Sequence, residues 1–192
     1  PLGLALLKSN ADNTRHDIRI FDCFLLNLSA DSPEFARRLK EFNPDVVGVS
    51  CWTTQAPEAV RILRTAKSLN KDVVTVIGGV HASAYPDKTV RKKGVDFLFQ
   101  GEGELSFPVF LDELEKKKPD WSRVKGLTYI NPSGELIQNA TEQEENLDKV
   151  KLPDYDAVNL DAYSREWHAK GTFPFCKAKK IAPIWITRGC PY

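Results

Sequence analysis

Asp72-Val73-Val74-Thr75-Val76-Ile77-Gly78-Gly79-Val80-His81 (DVVTVIGGVH) decides the fold. Val73 to Ile77 is β-branched throughout, with no polar/apolar alternation, as in a parallel strand covered by helices on both sides. Gly78 and Gly79 then remove side chains where the backbone leaves the sheet, so a turn of tight backbone must follow. The same grammar recurs on either side. Asp45 to Cys51 (DVVGVSC) reads as a strand buried on both faces, and Asp96 to Phe99 reads as a strand running into Gln100-Gly101-Glu102-Gly103-Glu104. Helical segments separate them: about Pro57 to Leu69, with Ala59, Ile62, Leu63 and Ala66 on one face, a short helix near Asp87 to Lys93, and Leu105 to Lys116. Strand and helix in steady alternation predict an α/β domain whose parallel sheet is wound by crossover helices.

Outward from this centre, Asp17 to Phe21 (DIRIF) is β-rich. Ser32, Pro33 and Glu34 supply an N-cap, a first-turn proline and a first-turn acid for a helix that Asn43 and Pro44 stop. Pro1 to Leu7 reads as a proline-initiated helix following a strand upstream of it; the alternative is that Leu4 to Leu7 is itself an edge strand. Gly126 to Ile130 and Glu135 to Gln138 flank Asn-Pro-Ser-Gly, a hairpin expected on the sheet edge. The polar, acidic stretch Thr141 to Tyr155 is expected to wrap away from the body as a linker. Ile181 to Thr187 (IAPIWIT) is expected to be a strand opening something new. The resulting partition is a main domain over 1–140, a linker or strap over 141–180, and the start of a further domain over 181–192.

Composition narrows the function. Lysine plus arginine is 27 against 26 acids, so no net field draws in nucleic acid or an anionic membrane surface. No apolar run approaches the roughly 18–20 residues that span a bilayer. The four cysteines, Cys23, Cys51, Cys176 and Cys190, lack the spacing of a secreted disulfide scaffold, which points to a reducing, cytoplasmic location. Cys23 and Cys51 end β-rich runs and read as small buried hydrophobes. Trp167 to Lys180 mixes aromatic and basic residues and reads as a lid or interdomain strap; His168 and Cys176 within it are two potential metal ligands of unknown separation and are assigned to no site.

Ligands of open parallel sheets lie beyond the carboxyl ends of the strands, and three such ends are chemically unusual here. Ser50, Thr53 and Thr54 offer hydroxyls either to a ligand or as helix caps. Gly78 and Gly79 let a flat or bulky ligand approach the main chain, and His81 beside them is a metal ligand, a hydrogen-bond donor to the ligand, or a satisfied turn histidine. Gly101, Glu102, Gly103 and Glu104 place two carboxylates on flexible backbone, Glu104 reading as a first-turn complement to the helix dipole. No phosphate-cradling glycine motif stands between a strand and a helix, which disfavours a dinucleotide.

Taken in order, PLGLA (1–5), GVS (48–50), IGGVHAS (77–83), QGEGELSF (100–107), KGLTYINPSGELI (125–137), LDKVKLPDYD (147–156) and TRGCPY (187–192) closely resemble the cobalamin-binding radical S-adenosylmethionine family. The resemblance implies a flavodoxin-like or Rossmann-like doubly wound parallel sheet with a hairpin extension and a linker into a β/α barrel. It implies that cobalamin lies among Ser50, Thr53, Gly78, Gly79, His81, Gly101, Glu102 and Gly103. It also implies that Cys190 is the first of three thiolate ligands of a 4Fe-4S cluster that binds S-adenosylmethionine. The family's relatives with an axial histidine carry Asp-x-His-x-x-Gly; this sequence does not, so cobalamin is expected without protein histidine ligation. The parent is then expected to be a methyltransferase or related radical enzyme, including ring rearrangement or cyclisation, with this piece catalytically silent. The competing readings are a cobalamin-free docking scaffold and an unrelated flavodoxin-like or response-regulator-like module.

Overall fold

The computed structural model describes residues 1–169, 178 and 180–184. Its elements are α1 (Leu2–Asn10), α2 (Pro33–Phe42), β1 (Val46–Ser50), α3 (Ala56–Leu69), β2 (Val74–Gly78), α4 (Val80–Ala84), α5 (Pro86–Val90), β3 (Phe97–Phe99), α6 (Ser106–Leu114), β4 (Leu127–Ile130), β5 (Leu136–Gln138) and α7 (Leu160–Ala169). The helix signals act as read: the Ser32 side chain accepts the Phe35 N–H at 3.3 Å, and Asn43 closes α2 in the left-handed conformation at φ 47°. The N-terminal segment is a helix, not an edge strand.

The strands lie in the order β1-β2-β3-β4-β5. β1, β2 and β3 are parallel, and the hairpin β4–β5 joins the β3 edge antiparallel, giving a mixed sheet. Alternate side chains feed two layers, as the two-residue period of a strand requires. Val49, Ile77 and Leu98 face α3, α4 and α5, with α2 beyond α3, while Val76, Phe99 and Leu127 face α6 and its neighbour α1. Phe110 is fully buried in the second layer, its ring edge-on to Phe99 at 5.5 Å.

Four expectations need correction. β1 is not buried on both faces: Gly48 and Ser50 are exposed and its valines are half-buried, because β1 is the terminal strand of this sheet. Asp17 to Phe21 is not a ladder strand. Its side chains do alternate, Ile18 towards the α6 layer, and Arg19 and Phe21 towards Phe42 of α2. Alternation records which faces are covered, not whether a backbone lies alongside to pair. The stretch after the hairpin, instead of wrapping away, returns to α1: Lys151 N–H donates to Asn10 Oδ1 (2.9 Å), Asp154 N–H to the Ala5 carbonyl (3.1 Å), and Lys8 lies 3.5 Å from the Asp154 carboxylate. α7 is tied in by the Tyr163 hydroxyl, which donates to Asp22. Burial, then that carboxylate, push the phenol's pKa upward. Ile181–184 is not in a strand, and its first N–H donates to the buried Ser164 hydroxyl at 3.0 Å. Residues 185–187, and with them the rest of the expected strand, fall outside the described residues.

At the amino ends of β2 and β3 a reciprocal clamp sets the pairing. Asp96 Oδ2 accepts both the N–H and the hydroxyl of the fully buried Thr75 at 2.9 Å, and Lys67 Nζ lies 2.6 Å from the same carboxylate. Asp96→Ala strands buried donors and should destabilise the chain by about 1–3 kcal/mol, read from the urea midpoint. Glu113 forms a second anchor, 1% exposed and bonded by Lys116, Arg123 and the Asp120 N–H. The Lys116 hydrogen bond foremost, and the Asp120 N–H next, hold its carboxyl below the usual carboxylate pKa. A depressed carboxylate pKa stabilises the fold above the ordinary carboxylate range and loses that contribution as pH falls through the folded value. Urea midpoints should therefore fall less steeply on acidification in Glu113→Gln than in the native chain.

Candidate functional site

The parallel register sets three strand ends in one row. Ser50 stands opposite Gly78, and a Cβ built on Gly78 would lie 3.8 Å from Phe99 Cβ. The loops beyond are then tied to one another. Cys51 N–H donates to the Gly78 carbonyl (3.2 Å) and the His81 N–H to the Cys51 carbonyl (3.3 Å), joining the first loop to the second. The Gly101 N–H donates to Ser83 Oγ of α4 at 2.9 Å, joining the second to the third. The hairpin props the third loop from behind: Gln100 N–H donates to the Gly126 carbonyl (2.8 Å), and its side-chain carbonyl accepts from Thr128 (3.0 Å) and Gln138 (3.2 Å).

Gly79 and Gly78 play different parts. Gly79 sits at φ 89°, ψ −171°, a region open essentially to glycine alone, and a Cβ there would come within 2.9 Å of Ser50 Oγ and the Cys51 backbone. Gly78 leaves room for a methyl group, so its role is the space it keeps in front of the sheet edge.

Of the proposed residues, Ser50, Gly78, Gly79 and His81 converge directly, with Thr53 in the first loop and Gly101 joined through Ser83. Neither threonine nor serine hydroxyl caps α3, whose N-cap is Gln55 without a side-chain bond; the capping alternative for Ser50, Thr53 and Thr54 is set aside. His81 is not a satisfied turn histidine, because its Nδ1 is buried without a hydrogen-bond partner. Its ring lies 5.4 Å from Tyr85. Gly103 leads away beneath Leu7, and Glu102 and Glu104 line a groove of about 220 Å³ with Arg123, Lys125, Glu142 and Glu144. Cys51 is buried and Cys23 half-buried, and burial raises both thiol pKa values, as expected of inert cysteines. Cys176 and Cys190 lie outside the described residues. Among the described residues no group of three or more His, Cys, Asp or Glu is placed to hold a metal ion, and no helix is long and apolar enough to cross a membrane.

Sequence reasoning missed Ser83 and Gln100, which tie the strand-end loops together. Ser83 lies two residues beyond His81 on α4, the one-turn helix that stands where a bare turn was expected, and only the fold shows it reaching Gly101.

The model for the B12 binding domain matches residues 1–111. The chain belongs to the B12-binding domain family. A B12-binding chain has to accommodate cobalamin, and the site fits: an uncommitted buried imidazole nitrogen at His81 lies three residues from Gly78, where the sheet edge leaves room for a further atom. The chain is 30% identical to an uncharacterized methyltransferase of Pyrococcus horikoshii, over all of this chain and 39% of that one. It is 24% identical to cytidylyl-2-hydroxyethylphosphonate methyltransferase of Streptomyces wedmorensis, over 99% of this chain and 42% of that one. It thus spans less than half the length of these relatives. The fold is shared with the cobalamin-dependent S-adenosylmethionine radical enzyme OxsB, solved with aqua-cobalamin and S-adenosylmethionine bound (TM-score 0.71, 23% identity, 86% of this chain, 22% of that one). It is also shared with the radical S-adenosylmethionine methyltransferase TsrM from Kitasatospora setae (TM-score 0.65, 18% identity, 86% of this chain, 34% of that one).

Gly79→Ala should destabilise the B12-binding body by roughly 1–3 kcal/mol, whereas Gly78→Ala should leave the melting midpoint near that of the native chain. Thermal denaturation of the two variants side by side checks this.

Proposed function

We propose that this chain is the cobalamin-carrying module of a larger radical S-adenosylmethionine methyltransferase or related radical enzyme, and that it is catalytically silent alone. The observation that carries the reading is the row of cross-tied strand ends holding His81 Nδ1 buried and unpartnered beyond the end of β2. Family membership and the names of the relatives support it. Cobalamin, when bound, supplies a transferable methyl group. The chain's own residues hold and orient it: Ser50 and Thr53 offer hydroxyls to amide groups, Gly78 admits the ligand to the main chain, Gly79 lets the first two loops close on one another, and His81 supplies the ring nitrogen. Gly101 bounds the far side through its bond to Ser83, whereas Glu102 and Gly103 turn towards the neighbouring groove and α1. No imidazole here stands in the Asp-x-His-x-x-Gly context, so cobalt receives no histidine from this chain.

In the parent, Cys190 would be the first of three thiolates of a 4Fe-4S cluster, with the fourth iron left for S-adenosylmethionine. The partition into 1–140, 141–180 and 181–192 belongs to this reading. Lys151 and Asp154 would then hold the strap against α1 while the chain passes onward. A cytoplasmic location and the lack of nucleic-acid or membrane partners follow from the cysteine usage and the balanced charge.

Hydroxocobalamin mixed with the purified chain should co-elute on gel filtration with a shifted absorbance spectrum. His81→Ala should weaken retention by about fivefold to tenfold, the scale of one hydrogen bond. Elution without cobalamin supports the docking-scaffold reading instead, and a yellow, flavin-bearing preparation overturns the cobalamin assignment.

A further inference from the structure

Two stretches of extended backbone have nothing alongside them to pair with. At β1 the Val74 N–H donates to the Asp45 carbonyl (2.8 Å) and the Cys51 N–H to the Gly78 carbonyl (3.2 Å), so the odd-numbered residues are the ones that face β2. The N–H and C=O groups of Val46, Gly48 and Ser50 therefore point out of the sheet, and among the described residues they meet no hydrogen-bond partner. The main-chain groups of residues 17–21 meet none either. The two stretches nevertheless share both layers of the fold: Ile18 and Val46 pack in the α6 layer, while Phe21, Val47 and Val49 pack in the layer of α2 and α3. An extended segment that lies in the plane of a sheet, on the side of its terminal strand, and bonds to nothing there defines a lane one strand wide.

The course of the chain says what fits the lane. α1 descends from the carboxyl rim of the sheet: Leu7 lies 3.2 Å from where a Cβ on Gly103 would stand, just beyond β3, and past the far end of the helix Arg15 pairs with Asp112 at 2.7 Å and with Glu115, at the close of α6. Residues 17–21 therefore start at the amino ends of the strands and run the same way as β1. A strand running with β1 in the lane would end at the rim, where Pro1 stands, and α1 would carry the chain on to 17–21. The unit β1, α3, β2 moves across the sheet in one sense with its helix on one face, whereas lane strand, α1 and 17–21 would move in the opposite sense with the helix on the opposite face. Reversing both keeps the hand of the crossover, as parallel connections require. We propose that the lane takes one parallel strand of about five residues, supplied by the same polypeptide immediately before Pro1. Both faces of that strand would be covered, so its sequence should be a continuous β-branched or aromatic run without proline, like residues 73–77. The inference stands independently of the cobalamin reading.

Amide hydrogen exchange, read residue by residue on the 192-residue chain and on the full-length parent, tests this. In the 192-residue chain the Val46, Gly48 and Ser50 amides should exchange fast while those of Val47 and Val49, bonded to β2, are protected. In the parent the three outward amides should slow by about tenfold or more. Outward amides that exchange equally fast in the parent overturn the proposal. Protection already present in the 192-residue chain, whether from 17–21 closing on β1 or from a second copy, overturns it as well. Gly48→Pro gives a second reading, because it deletes an N–H that points into the lane at a position where an added Cβ meets nothing within 4 Å. The variant should leave the melting midpoint of the 192-residue chain near that of the native chain and lower that of the parent. An equal loss in both proteins, or in neither, overturns the proposal.

Discussion

Hydrogen bonds between the strand-end loops, rather than within them, are what the candidate site depends on. Each of the three loops is short, the second and third are rich in glycine, and alone none could hold a defined shape against the entropy of its backbone. Cys51 to Gly78, His81 to Cys51, and Gly101 to Ser83 convert them into one rim. The rim can form only because β1, β2 and β3 run parallel in a register that sets Ser50 beside Gly78. That register is fixed at the opposite end of the sheet by the Thr75–Asp96 clamp and by the alternating burial of Val76 and Ile77. A slip of one residue would exchange the two faces of β2 and dismantle the rim with them.

This division of labour explains why polar groups at the two sheet ends are treated so differently. At the amino ends, Asp96 satisfies Thr75 twice and is itself paired with Lys67. At the carboxyl ends, His81 Nδ1 is left without a partner, and hydroxyls that could have capped α3 do not. A buried polar atom without a partner opposes folding, and in the proposed reading it is kept for the ligand.

The hairpin is more than an edge decoration. Gln100 is the residue at which β3 gives way to the third loop, and it is gripped by Gly126, Thr128 and Gln138 together. Gly126, at φ 69°, admits no Cβ because the Gln100 carbonyl oxygen would lie 2.4 Å from it. The antiparallel addition therefore stiffens the root of the loop that bounds the far side of the cleft.

The sequence alone determined the α/β class, the helices with their caps, the hairpin, and the strand ends at which the site lies. These follow from periods of two and 3.6 residues and from glycine and proline chemistry, which act over a few neighbours. The ordered motifs also carried the cofactor family. Only the tertiary structure decided that Asp17–Phe21 pairs with no strand, that β1 is half-exposed, and that the acidic stretch after the hairpin returns to α1. It also decided that Gly79 but not Gly78 is conformationally required, and that Ser83 ties the second strand-end loop to the third. Each of these turns on which backbone or side chain, distant in sequence, stands alongside, and no local pattern encodes the presence or absence of a neighbour.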